Sequence, residues 1–190
     1  MNLPNKLTVG RFVLTAIFLA VIFARVRYAD TIALVLFIIA SVTDYFDGKI
    51  ARERNLITNF GILMDPLADK ILVCSAFIAF VERGFMPAWM VVVIVARELG
   101  ITGLRMLAAS KHQVLAAEGY GKHKTISQIT AIIAILVTAS LPEWPMAITV
   151  GFSPWVAEFS TVAVWMALVL TVFSGSAYLW KNRQIFLQDL

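Results

Sequence analysis

The chain has 190 residues, of which 60% are hydrophobic and 15% are charged, with a mean hydropathy of +0.83 and a formal net charge of +4. This composition is too apolar for an ordinary soluble domain and indicates an integral membrane protein, with one domain spanning residues 1–190. It also argues against nucleic-acid binding, because the basic residues are scattered between apolar segments. The single cysteine, Cys74, lies in an apolar run and is interpreted as a small core residue.

Six apolar segments follow one another along the chain, each near the roughly 20 residues that cross a hydrocarbon core. The first runs from Phe12 to Ala24 and has no cleavage site after it, so it is interpreted as a retained helix preceded by an interfacial segment around Pro4 to Arg11. The other five lie at about 31 to 53, 61 to 82, 87 to 109, 122 to 141 and 158 to 180. We predict an all-α membrane fold with six transmembrane helices, because open sheet edges cannot be satisfied in lipid.

The basic residues predict the orientation of these helices. With six spans, both termini lie on the same side, and of the 16 lysines and arginines 13 fall on that side and 3 on the other. Because basic residues concentrate on the cytoplasmic side of membrane proteins, both termini are expected in the cytoplasm.

Four aspartates lie in otherwise apolar surroundings: Asp44, Asp47, Asp65 and Asp69. At about 3.6 residues per helical turn, the members of each pair share one helix face, and only a short polar stretch separates the two helices. Converging carboxylates repel one another unless a cation lies between them. An all-oxygen ligand set favours hard cations, so the pattern predicts one or two Mg²⁺ or Mn²⁺ ions. The alternative interpretation is that the acids are solvated helix-end charges or partners of nearby arginines and lysines.

A basic group follows on the next two predicted helices. Arg97 and Arg105 are eight residues apart and share a helix face, and Lys122 and Lys124 begin the following helix. Guanidinium and ammonium groups suit a phosphate or carboxylate ligand. For Arg105, Lys111 and Lys124 a solvated or lipid-phosphate-binding face is the alternative. Together with a metal site, this group predicts phosphoryl chemistry with two anionic reactants.

The acidic pattern also has a fixed form, D-x-x-D-G-x-x-A-R, then eight residues, then G-x-x-x-D-x-x-x-D. Its fixed positions are filled by Asp44, Asp47, Gly48, Ala51, Arg52, Gly61, Asp65 and Asp69. This pattern resembles the signature of the CDP-alcohol phosphatidyltransferases. Residues outside this pattern resemble a bacterial branch of the family that uses sn-glycerol 3-phosphate as acceptor. The resemblance spans about residues 2 to 126. The residues that carry it are Pro4, Asn5, Thr8, Arg11, Arg97, Glu98, Thr102, Gly103, Leu104, Arg105, Gly121, Lys122, Lys124 and Thr125.

The resemblance implies the fold of that family and a metal-dependent enzyme that transfers the phosphatidyl group of CDP-diacylglycerol to sn-glycerol 3-phosphate by direct attack on the β-phosphorus. It implies a homodimer in the bacterial inner membrane with the active site facing the cytoplasm. The metal ligands would be Asp44, Asp47, Asp65 and Asp69, with Asp69 also the general base. The CDP-lipid would bind Asn5, Thr8, Asp47, Gly48, Ala51, Arg52 and Gly61, and the glycerol 3-phosphate would bind Arg97, Arg105 and Lys122.

Other functions are compatible with parts of this pattern. Phosphatidylglycerol, an inositol phosphate or serine could replace glycerol 3-phosphate as the acceptor, although serine would not need the full basic group. A cation transporter would use the carboxylates as an ion pathway, but no internal repeat is evident and the acids cluster toward one face. A non-catalytic lipid-binding protein would leave the acidic signature without a role.

Overall fold

The computed structural model describes residues 3–24, 26–53, 59–110, 119–149, 151 and 153–183, and within these ranges it contains helices and no strand. The six long helices are α1 (Leu3–Ile22), α2 (Ala29–Glu53), α3 (Asn59–Glu82), α4 (Ala88–Ser110), α5 (Gly119–Ser140) and α7 (Ser153–Lys181). A 3₁₀ turn (Leu141–Glu143) and the short helix α6 (Met146–Thr149) connect α5 to α7. The six predicted apolar segments correspond to the six long helices, so the all-helical prediction is confirmed.

The start of the chain differs from the prediction. Residues 4 to 11 do not form a separate interfacial segment, because they belong to the same uninterrupted helix as the first apolar run. Thr8 and Arg11 are each only 1% exposed, on the helix that packs against α2 and α3. Thr8 and Arg11 therefore face the interior of the bundle, whereas Val9 between them is exposed on its surface.

The core is built from apolar side chains that all six long helices bring together. Phe18 of α1 and Phe37 of α2 are fully buried, with ring centroids 5.9 Å apart. Phe77 and Phe80 of α3 are also fully buried, as is Ile94 of α4. Helix α5 contributes Ile132, Ile135 and Leu136 and contacts α2, α3 and α7. It therefore links the N-terminal and C-terminal helices of the bundle.

The outer surface of the bundle is apolar where the helices are long. Among the described residues, Gly121–Glu143 and Ser153–Lys181 are each long and apolar enough to cross a membrane. The exposed face of α7 carries Trp165, Val169 and Phe173. Its buried face is mixed, since Val164 and Leu168 join the apolar core whereas Thr171 is polar. A helix with apolar side chains on both its exposed and its buried face is typical of a membrane span.

A polar cluster joins three loops at the end of the bundle where α2 begins. The Glu143 carboxylate accepts hydrogen bonds from the backbone N–H groups of Asp30 and Thr31, at 2.9 and 2.8 Å. Trp144 Nε1 donates a hydrogen bond to the Thr31 hydroxyl of α2 at 3.0 Å. Arg83 pairs with the Asp30 carboxylate, which raises the pKa of the guanidinium through their hydrogen bond. The carboxylate of Glu143 thus caps free N–H groups at the positive end of the α2 dipole.

Replacing Glu143 by glutamine is expected to lower stability by about 1 to 2 kcal/mol, because the cap loses its charge and one acceptor oxygen. Thermal unfolding of the detergent-solubilised protein measures the change. Glu158→Gln is the matched control, since Glu158 is an exposed acid near the start of α7. Equal unfolding temperatures for the two variants would show that the Glu143 contacts contribute nothing.

Candidate active site

The acidic signature lies on two successive helices. Asp44 and Asp47 are in the last part of α2, which ends at Glu53, and Asp65 and Asp69 are in the first part of α3, which begins at Asn59. The helical backbone confirms that each pair is separated by about one turn. The side chains of these four aspartates, and those of Gly48, Ala51, Arg52 and Gly61, lie outside the described residues. The predicted contacts among them therefore remain predictions.

A hydrogen bond connects α3 to α4 directly beside this signature. Lys70, which follows Asp69 in the chain, donates from Nζ to the Thr102 hydroxyl. The Thr102 hydroxyl in turn donates to the Glu98 backbone carbonyl at 2.7 Å. The helix that carries Asp65 and Asp69 is thus joined to the helix that carries Arg97 and Arg105.

Glu98 is the buried acid of the basic group. It is 6% exposed, and its Oε1 accepts from Lys124 Nζ of α5 and, at 3.3 Å, from Arg97 Nη1. One carboxylate thus balances two cations inside the bundle, with Lys70 a third cation nearby. A buried acid is costly unless it is paired, so Glu98 holds α4 and α5 together while leaving the group with net positive charge.

Arg97 has contacts on two sides. Its Nη2 donates to Ser174 Oγ of α7 at 3.3 Å, opposite the contact of Nη1 with Glu98. Its Nε is buried and has no hydrogen-bond partner among the described residues. A guanidinium carries five N–H donors, so this side chain retains donors for an anionic ligand.

Arg105 lies eight residues further along α4 and is more exposed than Arg97. Its Nε donates to the Tyr178 hydroxyl at 3.2 Å, and its guanidinium carbon is 5.5 Å from the centre of the Tyr178 ring. The two arginines therefore contact the same helix, α7, at positions four residues apart. Their placement on one face of α4 agrees with their spacing in the sequence.

The two lysines at the start of α5 occupy different environments. Lys122 is exposed, whereas Lys124 is 5% exposed and contacts Glu98. Two residues correspond to about 200° of rotation around a helix, so both cannot face the interior. Lys122 was predicted to bind the acceptor, and the structure places Lys124 in the buried basic group.

Lys124 belongs to the predicted basic group, but four other polar residues of this region were not predicted as site residues: Lys70, Glu98, Ser174 and Tyr178. A sequence signal existed for Lys70 and Glu98, which are charged residues inside apolar helices. Ser174 and Tyr178 carried no such signal, because both residue types are common in membrane helices.

The N-terminal helix supplies further polar side chains to the interior. Thr8 and Arg11, one turn apart on α1, are both buried, and Thr15 Oγ1 donates to the Arg11 backbone carbonyl at 2.8 Å. Asn5 is on the same helix, but its side chain lies outside the described residues. The burial of Thr8 agrees with a role inside the bundle, while its predicted contact with the CDP-lipid remains a prediction.

Comparison with known proteins identifies the family of this chain. The family model for CDP-alcohol phosphatidyltransferases matches residues 1–173, and the chain belongs to this family. Members of the family generally depend on a divalent metal ion.

Three relatives illustrate the branch of the family to which the chain is similar. It is 42% identical over 193 aligned residues to the CDP-diacylglycerol–glycerol-3-phosphate 3-phosphatidyltransferase of Bacillus subtilis, covering 95% of each chain. It is 32% identical to the protein of the same name from Rickettsia bellii, covering 97% of each chain. It is also 37% identical to a probable phosphatidylglycerophosphate synthase of Mycobacterium tuberculosis, covering 93% of this chain and 79% of the relative.

Proposed function

We propose that the protein transfers the phosphatidyl group of CDP-diacylglycerol to sn-glycerol 3-phosphate, giving phosphatidylglycerophosphate and CMP. The observation that carries this proposal is the basic group around the buried Glu98, in which Lys124 is buried and Arg97 and Lys70 are half-buried. Lys70 is on α3, the helix that bears Asp65 and Asp69. The names of the relatives support the same acceptor. A second anionic substrate explains why three cations share one buried acid.

In the proposed reaction the 1-hydroxyl oxygen of glycerol 3-phosphate forms a bond to the β-phosphorus of CDP-diacylglycerol. The bond from that phosphorus to the oxygen bridging to CMP breaks, and CMP leaves with the electron pair. Asp69 accepts the proton of the attacking hydroxyl as general base. Arg97, Arg105 and Lys124 hold the acceptor phosphate, with Lys122 at the exposed side of α5, and thereby orient the hydroxyl.

The CDP-lipid site is proposed on the first three helices. Asn5 and Thr8 of α1 contact the nucleotide, Gly48, Ala51 and Gly61 leave room for it beside the backbone, and Arg52 contacts its phosphates. Asp47 is shared between the nucleotide and the metal site.

The proposed metal ligands are Asp44, Asp47, Asp65 and Asp69, which would hold one or two Mg²⁺ or Mn²⁺ ions. The spacing fits such a group, since each helix carries two aspartates about one turn apart and all carboxylate ligand atoms are oxygen. When bound, the metal would neutralise charge that develops on the departing CMP.

The membrane context follows from the same arrangement. We propose a homodimer in the bacterial inner membrane with both termini and the active site on the cytoplasmic side. The excess of basic residues on the side of the termini supports this orientation. The diacyl tails then remain in lipid while the nucleotide and the soluble acceptor enter from water.

The experiment that tests the function uses the purified protein with CDP-diacylglycerol, Mg²⁺ or Mn²⁺ and a panel of acceptors. We expect CMP and phosphatidylglycerophosphate only with sn-glycerol 3-phosphate. A product formed instead from phosphatidylglycerol, an inositol phosphate or serine would replace the proposed acceptor. In sealed liposomes, metal flux without CMP release would identify a transporter.

The two lysines of α5 provide a direct test of the acceptor site. Lys124→Gln is expected to raise the KM for glycerol 3-phosphate by about tenfold or more, because a buried charge contacts the ligand in a low-dielectric site. Lys122→Gln, the matched substitution two residues earlier, should raise it less. The assay is steady-state CMP release at saturating CDP-diacylglycerol. A larger rise in KM for the Lys122 variant would indicate that the acceptor phosphate binds at the exposed side of α5.

A further inference from the structure

The C-terminal helix α7 contacts both arginines that are proposed to bind the acceptor phosphate. Its buried positions in this region are Thr171, Ser174, Gly175 and Tyr178, which form one helix face by their spacing. Gln128 of α5 donates to Thr171 at 3.1 Å, which fixes this face against the bundle. The remaining residues, Ser174, Gly175 and Tyr178, face α4.

Gly175 leaves the space that the Arg97 side chain occupies. A Cβ atom at position 175 would lie 2.8 Å from Arg97 Cγ, 3.6 Å from its Nε and 3.8 Å from its Cδ. The shortest of these distances is below any normal contact, and it involves the atom next to the Cβ of Arg97, close to the backbone of α4. The side chain could not avoid a methyl group at position 175 without changing its rotamer, which would move the guanidinium.

The residues on either side of this gap hold the two guanidinium groups. Ser174 Oγ accepts from Arg97 Nη2 at 3.3 Å and donates to the Thr171 backbone carbonyl at 3.2 Å, so its hydroxyl orientation is fixed. Tyr178 accepts from Arg105 Nε through its hydroxyl and also offers its ring to that guanidinium. Both arginines therefore have side-chain hydrogen bonds with α7.

We propose that Ser174, Gly175 and Tyr178 are positioning residues that preorganise Arg97 and Arg105 for the phosphate of the acceptor, an inference that rests on the proposed function. Long arginine side chains lose rotamer freedom when they bind an anion. Holding them in place beforehand removes part of that cost and strengthens binding of the acceptor. The CDP-lipid, proposed to bind on α1, α2 and α3, does not use these contacts.

Gly175→Ala tests the proposal, with Gly100→Ala as the matched control. Gly100 is a helical glycine of α4 with no atom within 4 Å of an added Cβ. The Gly175 variant is expected to raise the KM for glycerol 3-phosphate about tenfold and to change the KM for CDP-diacylglycerol less than about twofold. Gly100→Ala should change neither. Equal changes in both constants, or no change, would overturn the proposal.

A double substitution separates positioning from general disturbance of the helix. In an Arg97→Ala background the Cγ atom that a Cβ at position 175 would meet is absent, so adding Gly175→Ala should raise the acceptor KM by less than about threefold. A further tenfold rise would show that Gly175 does not act through Arg97.

If Gly175→Ala does not yield folded protein, the variants Ser174→Ala and Tyr178→Phe test the proposal instead. Each should raise the acceptor KM by about threefold, against no change for Ser176→Ala, the exposed serine on the same helix. No rise in either variant would overturn the proposal. CMP release from the unmodified protein with a different anionic acceptor would overturn the proposed function alone, and the same variants would then be compared on the KM of that acceptor.

Discussion

Replacing Asp69 by asparagine is expected to reduce turnover by about a thousandfold or more, because an amide cannot take the proton of the attacking hydroxyl. The backbone places Asp69 in α3, immediately before the lysine that contacts α4. The residue that is proposed as the base is therefore adjacent in sequence to the contact between α3 and α4. The measurement is CMP release with saturating CDP-diacylglycerol, glycerol 3-phosphate and Mg²⁺.

Binding of the CDP-lipid should remain measurable in this variant, for example as a rise in unfolding temperature when CDP-diacylglycerol is added. Asp30→Asn is the control, since it makes the same change to a carboxylate at the other end of the bundle and should keep turnover within about threefold of the unmodified protein. Appreciable activity in Asp69→Asn would remove Asp69 from the role of base.

Replacing Glu98 by glutamine is expected to have the largest effect on stability, about 3 kcal/mol, because it leaves buried cations without their counter-charge. Glu98 is the acid that both Lys124 and Arg97 contact. An amide oxygen can still accept a hydrogen bond, and glutamine has nearly the same shape as glutamate. The loss of stability therefore measures the effect of removing the negative charge. Thermal unfolding in detergent measures it, with the exposed Glu82→Gln as control.

A double-mutant cycle assigns this loss to the ion pair. If the pair is responsible, Glu98→Gln with Lys124→Gln should be more stable than the sum of the two single losses predicts, by about 2 kcal/mol. Strictly additive losses would mean that the two residues contribute independently. The double variant should also bind glycerol 3-phosphate poorly, because it lacks Lys124.

The sequence predicted the helices well, since hydrophobic length is a local property. The start of the first helix was the exception, because Thr8 and Arg11 look interfacial as residue types and are buried only because α2 and α3 cover them. The Glu143 cap could not be predicted either, because it joins residues more than a hundred positions apart.

The candidate site was likewise predicted only in part from the sequence. Arg97 and Arg105 followed from their spacing on one helix, and the structure brings both to α7. Lys122 and Lys124 could not be distinguished, because the rotation of α5 about its axis is set by its neighbours. Residues 142–190 suggested only hydrophobicity, yet Ser174 and Tyr178 contact both arginines.

By itself, the sequence determined that this protein is a six-helix membrane bundle with an acidic signature on the second and third helices. Helix length and helix periodicity depend on residues that are close together in the sequence. Only the tertiary structure decided that Glu98 pairs with Lys124 and that Gly175 gives space to Arg97. Those contacts depend on the rotation and separation of packed helices, which burial across the whole bundle fixes and no single segment encodes.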